Sequence, residues 1–407
     1  MPKIITDEKR VDQVLTRGVE SVYPDKATLK KLLTSGKQIK LYCGYDPTAS
    51  SLHIGHGITI RKLAQFQKLG HQVIFLFGDF TAQIGDPDKL SVRKPLTHEQ
   101  VMDNLKNWKK QIRNIIDIDS IEFKFNSKWL AKLNFEDLIG IASNFTVQQM
   151  IDREMFQQRL HEGRPIYLHE FFYPLMQAYD SVAMDVDLEV GGNDQTFNML
   201  AGRTLLKAMT GKDKCVLTTR LLSDPTGKKM GKSEGNMITL EDSGAEMYGK
   251  IMSWTDEMII PALEILTDLD LKEINEINKA MKAGANPRDF KMKLAYETAK
   301  IYLGEEQARL GEHNFARVFQ DKQKPLEIPE IIIKDKDGKI GVLDLFVQAG
   351  LAESNSEMRR LIKEKAIRVD DELIHNADWQ LTVPADGLLL QRGKKQFARV
   401  KLSKKKR

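Results

Sequence analysis

A chain of 407 residues exceeds what one compact core usually supports, so two or three domains are expected. No stretch approaches ~20 consecutive apolar residues and no charged-then-apolar leader opens the chain, which argues against a membrane span and makes the cytoplasm the expected location. The net charge of +5 is mild, and the two cysteines, Cys43 and Cys215, are too few for a disulfide framework or a zinc quartet.

Residues 40–42 and 73–77 are short apolar runs bounded by glycine, the pattern of strands buried on both faces of a parallel sheet. Between them Ile60, Leu63 and Ala64 recur at helical spacing, and Gly70 stands where a helix would end. This is a β-α-β unit, whose right-handed crossover places residues 42–56 at the crevice beyond the strand ends. That stretch includes His53-Ile54-Gly55-His56 at the start of the helix, where two imidazoles and the N-terminal amides can converge on phosphate oxygens.

Residues 101–164 read as mostly helical and hold Trp108, Trp129, Phe135, Phe145, Met150 and Phe156, a set that suits an internal core or an interface equally well. Tyr173, Gln177 and Asp180 fall at i, i+4 and i+7, on one face of a helix. Met184, Val186, Leu188 and Val190 then alternate with Asp185, Asp187 and Glu189, a strand that delivers residues 191–195 to the same edge. Lys229-Met230-Gly231-Lys232-Ser233 is a basic loop able to close over a triphosphate and to neutralise the charge that builds up as pyrophosphate leaves.

Residues 237–319 carry helical repeats such as Leu271, Ile274, Ile277 and Met281, and Pro325 and Pro329 amid charged residues mark a linker. Residues 342–351 and 358–363 read as two amphipathic helices, 366–369 as a strand and 391–397 as a basic turn. Arg392, Lys394, Lys395, Arg399, Lys401 and residues 404–407 crowd positive charge toward the end of the sequence, where a polyanion is the expected partner.

Together and in this order, the histidine tetrad and the Lys-Met-Gly-Lys-Ser loop resemble the two signatures of class I aminoacyl-tRNA synthetases. Leu41-Tyr42-Cys43-Gly44-Tyr45-Asp46-Pro47-Thr48-Ala49, Tyr173-Pro174-Leu175-Met176-Gln177-Ala178-Tyr179-Asp180 and Val190-Gly191-Gly192-Asn193-Asp194-Gln195 sharpen the likeness to the tyrosyl-tRNA synthetase family. It runs from about residue 10 to 402, its last part resembling a small RNA-binding fold named after a small-subunit ribosomal protein. The resemblance implies an α/β chain: a Rossmann-like parallel-sheet catalytic domain over residues 1–236 with a helical insertion at about 101–164, and an all-α anticodon-stem domain over 237–320. A linker over 321–338 and a small α+β RNA-binding domain with a basic tail over 339–407 complete it. It further implies a homodimer joined through the insertion, tyrosine and ATP as substrates, Mg2+ arriving with ATP without dedicated protein ligands, and a tyrosine-accepting tRNA as partner.

The implied reaction has two steps, formation of tyrosyl-adenylate with release of pyrophosphate and transfer of tyrosine to the terminal adenosine of tRNA. The attacking carboxylate is already ionised at neutral pH, so positioning and charge complementarity, not a general base, carry catalysis. By resemblance Thr48 and His53 contact the departing phosphates, His56 and Thr59 lie against the ribose, and Lys229, Lys232 and Ser233 close over pyrophosphate. Cys43, Gly55, Gly192 and Asp194 complete the nucleotide side, with Gln195 beside them as an orienting amide at the substrate. Tyr42 and Asp180 are expected to bond the substrate phenol, while Asp86, Tyr173 and Gln177 hold its ammonium. A site built to bond the hydroxyl rejects phenylalanine by leaving its own polar groups unpaired, a rule of which tyrosyl-tRNA synthetases are the standard example, so no editing domain is expected. Arg359, Arg360, Lys363, Lys365, Lys394 and Lys395 supply the expected RNA-phosphate contacts.

Two departures from the commoner family text stand out. Residues 88–94 replace its serine and glycine, leaving Lys89, Arg93 and Lys94 as candidate triphosphate contacts, and Gly231 replaces a serine within the basic loop. The competing expectations are a tryptophanyl-tRNA synthetase, which would lack the Tyr42 and Asp180 pair, an RNA-binding protein on a synthetase scaffold, and a small-molecule nucleotidyltransferase.

Overall fold

Apolar runs too short to be helices pair into one sheet at the centre of the larger unit. A computed structural model describes residues 3–84, 97–223, 237–320, 328–333, 339–384, 386–393 and 396–402. Val19–Tyr23 (β1), Lys40–Tyr45 (β2), Gln72–Phe77 (β3), Glu122–Phe125 (β4), Leu188–Gly192 (β5) and Cys215–Thr219 (β6) form a six-stranded sheet in the order β1-β6-β5-β2-β3-β4. The pairs β2 with β3, β3 with β4, β2 with β5 and β5 with β6 are parallel, and β1 runs antiparallel to β6. Val73 through Phe77 are all nearly inaccessible, as expected of a strand covered on both faces.

The helix Ile54–Lys68 (α1) follows β2 and packs on the sheet through residues including Ile54, Ile58, Ile60 and Leu63. Gly70 ends it with φ +91°, and a Cβ there would lie 2.7 Å from the Lys3 carbonyl oxygen, so both conformation and space require glycine. Phe172–Met184 (α2) and Thr196–Thr210 (α3) pack through Leu175, Ala178, Ala201 and Leu205 on either side of β5 in the sequence.

The helical residues after 237 form Gly244–Met252 (α4), Ile259–Leu266 (α5), Leu271–Lys282 (α6) and Pro287–Leu303 (α7). The chain divides into two compact units between Glu312 and His313, and the helices of residues 237–312 lie in the first of them together with the sheet. Two buried guanidinium groups explain why these helices stay with the sheet, and a buried lysine braces one of them. Arg17 donates through Nε to the Glu264 carbonyl at 2.9 Å and through Nη2 to that of Thr267 at 2.6 Å. Arg61 reaches the carbonyls of Ile265 and Thr267 and the Asp268 carboxylate, while Lys62 bonds the carbonyls of Val14 and Arg17 at 2.7 and 2.8 Å. The two guanidinium groups thus satisfy the open carbonyls at the negative end of α5 from residues on the sheet side.

The second unit has a five-stranded sheet in the order β10-β9-β12-β13-β7 and a two-stranded ribbon of β8 and β11. Its strands are Glu330–Ile333 (β7), Lys339–Gly341 (β8), Ile367–Val369 (β9), Glu372–Leu373 (β10), Gln380–Thr382 (β11), Leu388–Arg392 (β12) and Gln396–Leu402 (β13). The helices Val342–Gln348 (α8) and Asn355–Lys363 (α9) contribute Leu345, Phe346, Met358 and Leu361 to its core. Part of the expected linker is therefore a strand. β7 pairs in parallel with β13, from Glu330 opposite Arg399 to Ile333 opposite Leu402, and Ile333 is buried. The two prolines dominated the reading of 321–338, whereas the isoleucines between them and β8 carry the pairing.

Lys62 is buried, and burial with Arg61 and Arg17 close by pulls its pKa from 10.5 to about 7. Between those values the unfolded chain holds a proton that the folded chain has released, so this residue makes stability rise with pH across the window and flat below it. Urea unfolding of the parent chain and of Lys62→Met should therefore diverge, the parent gaining on the order of 2 kcal/mol on the variant between pH 7 and 9. Parallel pH profiles would show that Lys62 titrates as it does in the unfolded chain.

Candidate active site

Strand order reverses between β2 and β5, and a cavity opens at the carboxyl ends of these strands. The loop leaving β2 is fixed by the helical insertion. Asn104 Nδ2 donates to the Pro47 carbonyl at 2.8 Å, Trp108 Nε1 to that of Ala49 at 3.2 Å, and Gln111 both donates to the Ser50 carbonyl and accepts from the Leu52 amide. Trp108 is therefore an internal support of the site.

His53 and His56 stack at the start of α1 with ring centroids 3.8 Å apart. The His53 amide donates to His56 Nδ1 at 3.2 Å, which makes Nε2 the protonated nitrogen of a neutral His56. Gly55 leaves the ring its space, since a Cβ there would come within 3.0 Å of the His53 imidazole. Thr59 donates to the His56 carbonyl at 2.9 Å and shares a hydrogen bond with the Tyr45 hydroxyl. The positive end of the α1 dipole and these imidazoles make this wall suited to phosphate.

Lys229, Lys232 and Ser233 lie outside the described residues, as do Asp86, Lys89, Arg93 and Lys94. Described residues flanking the basic loop, Leu221 and Leu222 on one side and Met237 and Ile238 on the other, line the cavity. Ile238 also accepts from the Ile54 amide at 3.0 Å, and the Leu240 amide donates to Leu52 at 2.8 Å. The described residues on both sides of the loop therefore lie on the cavity wall, those after it beside the histidine signature.

The opposite wall is the predicted face of α2. Tyr173 donates to Asp46 Oδ2 at 2.8 Å, and Asp46 Oδ1 accepts from Thr81. Gln177 donates through Nε2 to Glu189 Oε1 at 3.1 Å. Asp180, 2% exposed, accepts from Trp129 Nε1 at 2.7 Å and Asn126 Nδ2 at 3.4 Å. Burial pushes its carboxyl well above the usual range against the lowering by these two donors, and the charges of Glu189 and Asp46 add to the rise. Such a carboxyl is matched to a neutral hydroxyl that can both give and accept a hydrogen bond.

Cys43, Gly192, Asp194 and Gln195 line the cavity from β2 and from the turn after β5. Burial raises the Cys43 thiol to about 12, so it is no nucleophile at neutral pH. A Cβ on Gly192 would lie 2.5 Å from Asp194 Oδ1, and Gln195 Oε1 is held by Asn198 Nδ2 at 3.0 Å.

Two expected residues are placed elsewhere. Tyr42 is fully buried among Ile74, Leu76, Met184 and Val186, with its hydroxyl 2.9 Å from Ser181 Oγ, and it does not line the cavity. The hydroxyl that was expected to meet a substrate phenol meets a side chain one residue past Asp180. Thr48 is half-buried on the pinned loop and also lies off the cavity wall. Asn126, Trp129 and Glu189 were missed. Glu189 sits on the polar side of an alternating strand and so reads as solvent-facing, yet it is 2% exposed and ion-paired with Lys214. That lysine, placed directly before the apolar run of β6, was the available signal.

In the second unit, Arg359 and Arg360 project from α9 with more than half of each side chain exposed, and Lys363 and Lys365 are exposed beside them. Their carboxylate partners, Asp378 at 3.9 Å and Glu364 at 3.5 Å, are surface contacts of little energetic weight. Lys394 and Lys395 lie outside the described residues.

A family model described as tRNA synthetases class I (W and Y) matches residues 34–320, and one for the tyrosine–tRNA ligase SYY-like C-terminal domain matches residues 321–400. The tyrosine–tRNA ligase of Moorella thermoacetica is 42% identical over 404 residues, covering 98% of this chain and 97% of the relative. That of Thermotoga maritima is 41% identical over 400 residues, covering 97% and 98%. Among solved structures, a C-terminally truncated mitochondrial tyrosyl-tRNA synthetase of Aspergillus nidulans has a TM-score of 0.64 at 23% identity, covering 76% of this chain and 94% of its own. The tyrosyl-tRNA synthetase of Archaeoglobus fulgidus complexed with L-tyrosine has a TM-score of 0.59 at 23% identity, covering 75% and 100%. The two structures share the fold, and the near-full-length sequence matches go further: the chain belongs to the class I tRNA synthetases, in the bacterial-type tyrosine–tRNA ligase family.

Proposed function

We infer that the chain is a tyrosine–tRNA ligase that forms tyrosyl-adenylate from tyrosine and ATP and passes tyrosine to the 3′-terminal adenosine of its tRNA. The observation that carries this reading is the placement of Tyr173, Gln177 and Asp180 on one cavity wall, facing the helix that begins at His53. Asp180 takes the phenol hydroxyl, with Asn126 and Trp129 holding its carboxyl in place. Tyr173, Gln177 and, from outside the described residues, Asp86 take the ammonium. The tyrosine carboxylate then points toward the histidine wall, where ATP presents its α-phosphate.

His53 and His56, with the α1 dipole, stabilise negative charge on the phosphates and fix the nucleotide, aided by Thr59. Asp194 bonds a ribose hydroxyl, Gly192 admits backbone close to the nucleotide, and Gln195 orients the reacting groups. Lys229, Lys232 and Ser233 close over the pyrophosphate from the rim, and Mg2+ arrives with ATP. These contacts act where charge develops, so they lower the barrier more than they tighten ground-state binding.

The basic side chains of α9, with Lys394 and Lys395, bind tRNA phosphates. The insertion joins two copies of the chain: within it Phe135, Ile139, Val147 and Leu160 are each more than half exposed, large apolar side chains that pairing would cover. No helix among the described residues is long and apolar enough to cross a membrane, and the proposed location is the cytoplasm. The tryptophanyl and RNA-binding-only readings have no comparable support, since the relatives matched over nearly the whole chain are tyrosine–tRNA ligases.

Asp180→Ala should lower the preference for tyrosine over phenylalanine in pyrophosphate exchange by about 100-fold, the loss of roughly 3 kcal/mol of buried hydrogen bonding. An unchanged preference would remove Asp180 from the phenol site. Lys229→Ala and Lys232→Ala should each slow single-turnover adenylate formation by about 10²- to 10³-fold while ATP binding weakens little. Unaltered rates in both would end the proposed role of the loop.

A further inference from the structure

Behind the amino-acid wall lies a charged network that the proposed reaction does not use directly. Lys214 and Glu189 form an ion pair through Nζ and Oε2, with side-chain exposures of 0% and 2%. Lys214 Nζ also donates to Ser181 Oγ at 2.6 Å, and Ser181 meets the Tyr42 hydroxyl at 2.9 Å. Gly202 on α3 makes the space: a Cβ there would lie 2.7 Å from Lys214 Nζ, 2.9 Å from Ser181 Oγ and 3.2 Å from Glu189 Oε2. Burying two charges is expensive, and the pair is no evidence of added stability over an apolar filling of equal volume.

Its chemical consequence lies one bond further on. Glu189 Oε1 receives Gln177 Nε2 at 3.1 Å, and both residues line the cavity. An ionised carboxylate can only accept, so it fixes which end of the Gln177 amide turns toward it. The NH2 group faces Glu189, and the carbonyl oxygen is left for the cavity. A carbonyl is what an ammonium requires, whereas an NH2 group would oppose it. Lys214 Nζ holds the other oxygen of that carboxylate, which keeps Oε1 turned toward Gln177.

We propose that Lys214, acting through Glu189, is a positioning residue that sets the Gln177 amide with its oxygen toward the substrate ammonium. Ser181 and Tyr42 hold Lys214 in place, which gives the buried Tyr42 hydroxyl a role behind the pocket instead of in it. This rests on the proposed tyrosine pocket and adds to it the residues that decide the polarity of its ammonium end.

The test compares binding of L-tyrosine and of 3-(4-hydroxyphenyl)propionate, which has the phenol and carboxylate but no ammonium, to the full-length protein by calorimetry. Lys214→Met alone strands a buried carboxylate and can cost folding. The paired variant Glu189→Gln with Lys214→Met removes both charges together, and Gly202→Ala keeps both while crowding Nζ and favouring the helix. The paired variant should weaken tyrosine about 10- to 100-fold, with the des-amino analogue changing less than about 3-fold and KM for ATP unmoved; Gly202→Ala should show the same selective loss, smaller in size. Equal weakening of both ligands would reduce the network to a structural filling, and retention of the tyrosine advantage in both variants would overturn the proposal. A parent protein that binds the two ligands equally would overturn the ammonium pocket itself, and the proposal with it.

Discussion

The position of β2 between β3 and β5 is the constraint on which the rest depends. From β2 the chain builds outward through β3 and β4 on one side and later through β5 and β6 on the other, and at this reversal of strand order the connections part at the carboxyl ends and leave a crevice. α1 starts at that end and supplies a positive dipole, while α2 and β5 approach from the other side with carboxylates and an amide. The wall proposed for phosphate and the wall proposed for the ammonium thus line one cavity because of strand order. The transfer of an adenylyl group to an amino acid needs both walls in one crevice.

Around this crevice, buried polar groups do the positioning. Arg17 and Arg61 take the open carbonyls at the end of α5, so the helices after residue 237 are held against the sheet by hydrogen bonds to guanidinium groups. Residues of the insertion hold the loop between β2 and α1, and Asn126 and Trp129 hold Asp180. The Lys214 and Glu189 pair belongs to the same pattern: costly charges are buried where they fix the geometry of a group that faces the cavity.

Much of this was readable from residue order alone, because period and spacing are local. The β-α-β unit, the stop at Gly70, the common face of Tyr173, Gln177 and Asp180 and the turn at Gly192 all follow from hydrophobic period and backbone freedom within a few residues. What was not readable depends on partners far apart in sequence. The Tyr42 hydroxyl is claimed by Ser181, 139 positions away, and Glu189 looks solvent-facing until Lys214 is brought against it by β6. β7 was hidden because its partner, β13, lies near the other end of the unit, and the prolines before it gave the stronger local signal.

The most direct measurement is ATP–pyrophosphate exchange by the purified protein with each of the twenty amino acids supplied separately. Exchange that depends on tyrosine alone is the predicted result, since it requires the phosphate wall and the Asp180 pocket to act on one bound pair of substrates. Exchange with tryptophan in place of tyrosine would contradict the pocket, and absence of exchange with every amino acid would contradict the adenylation chemistry as a whole.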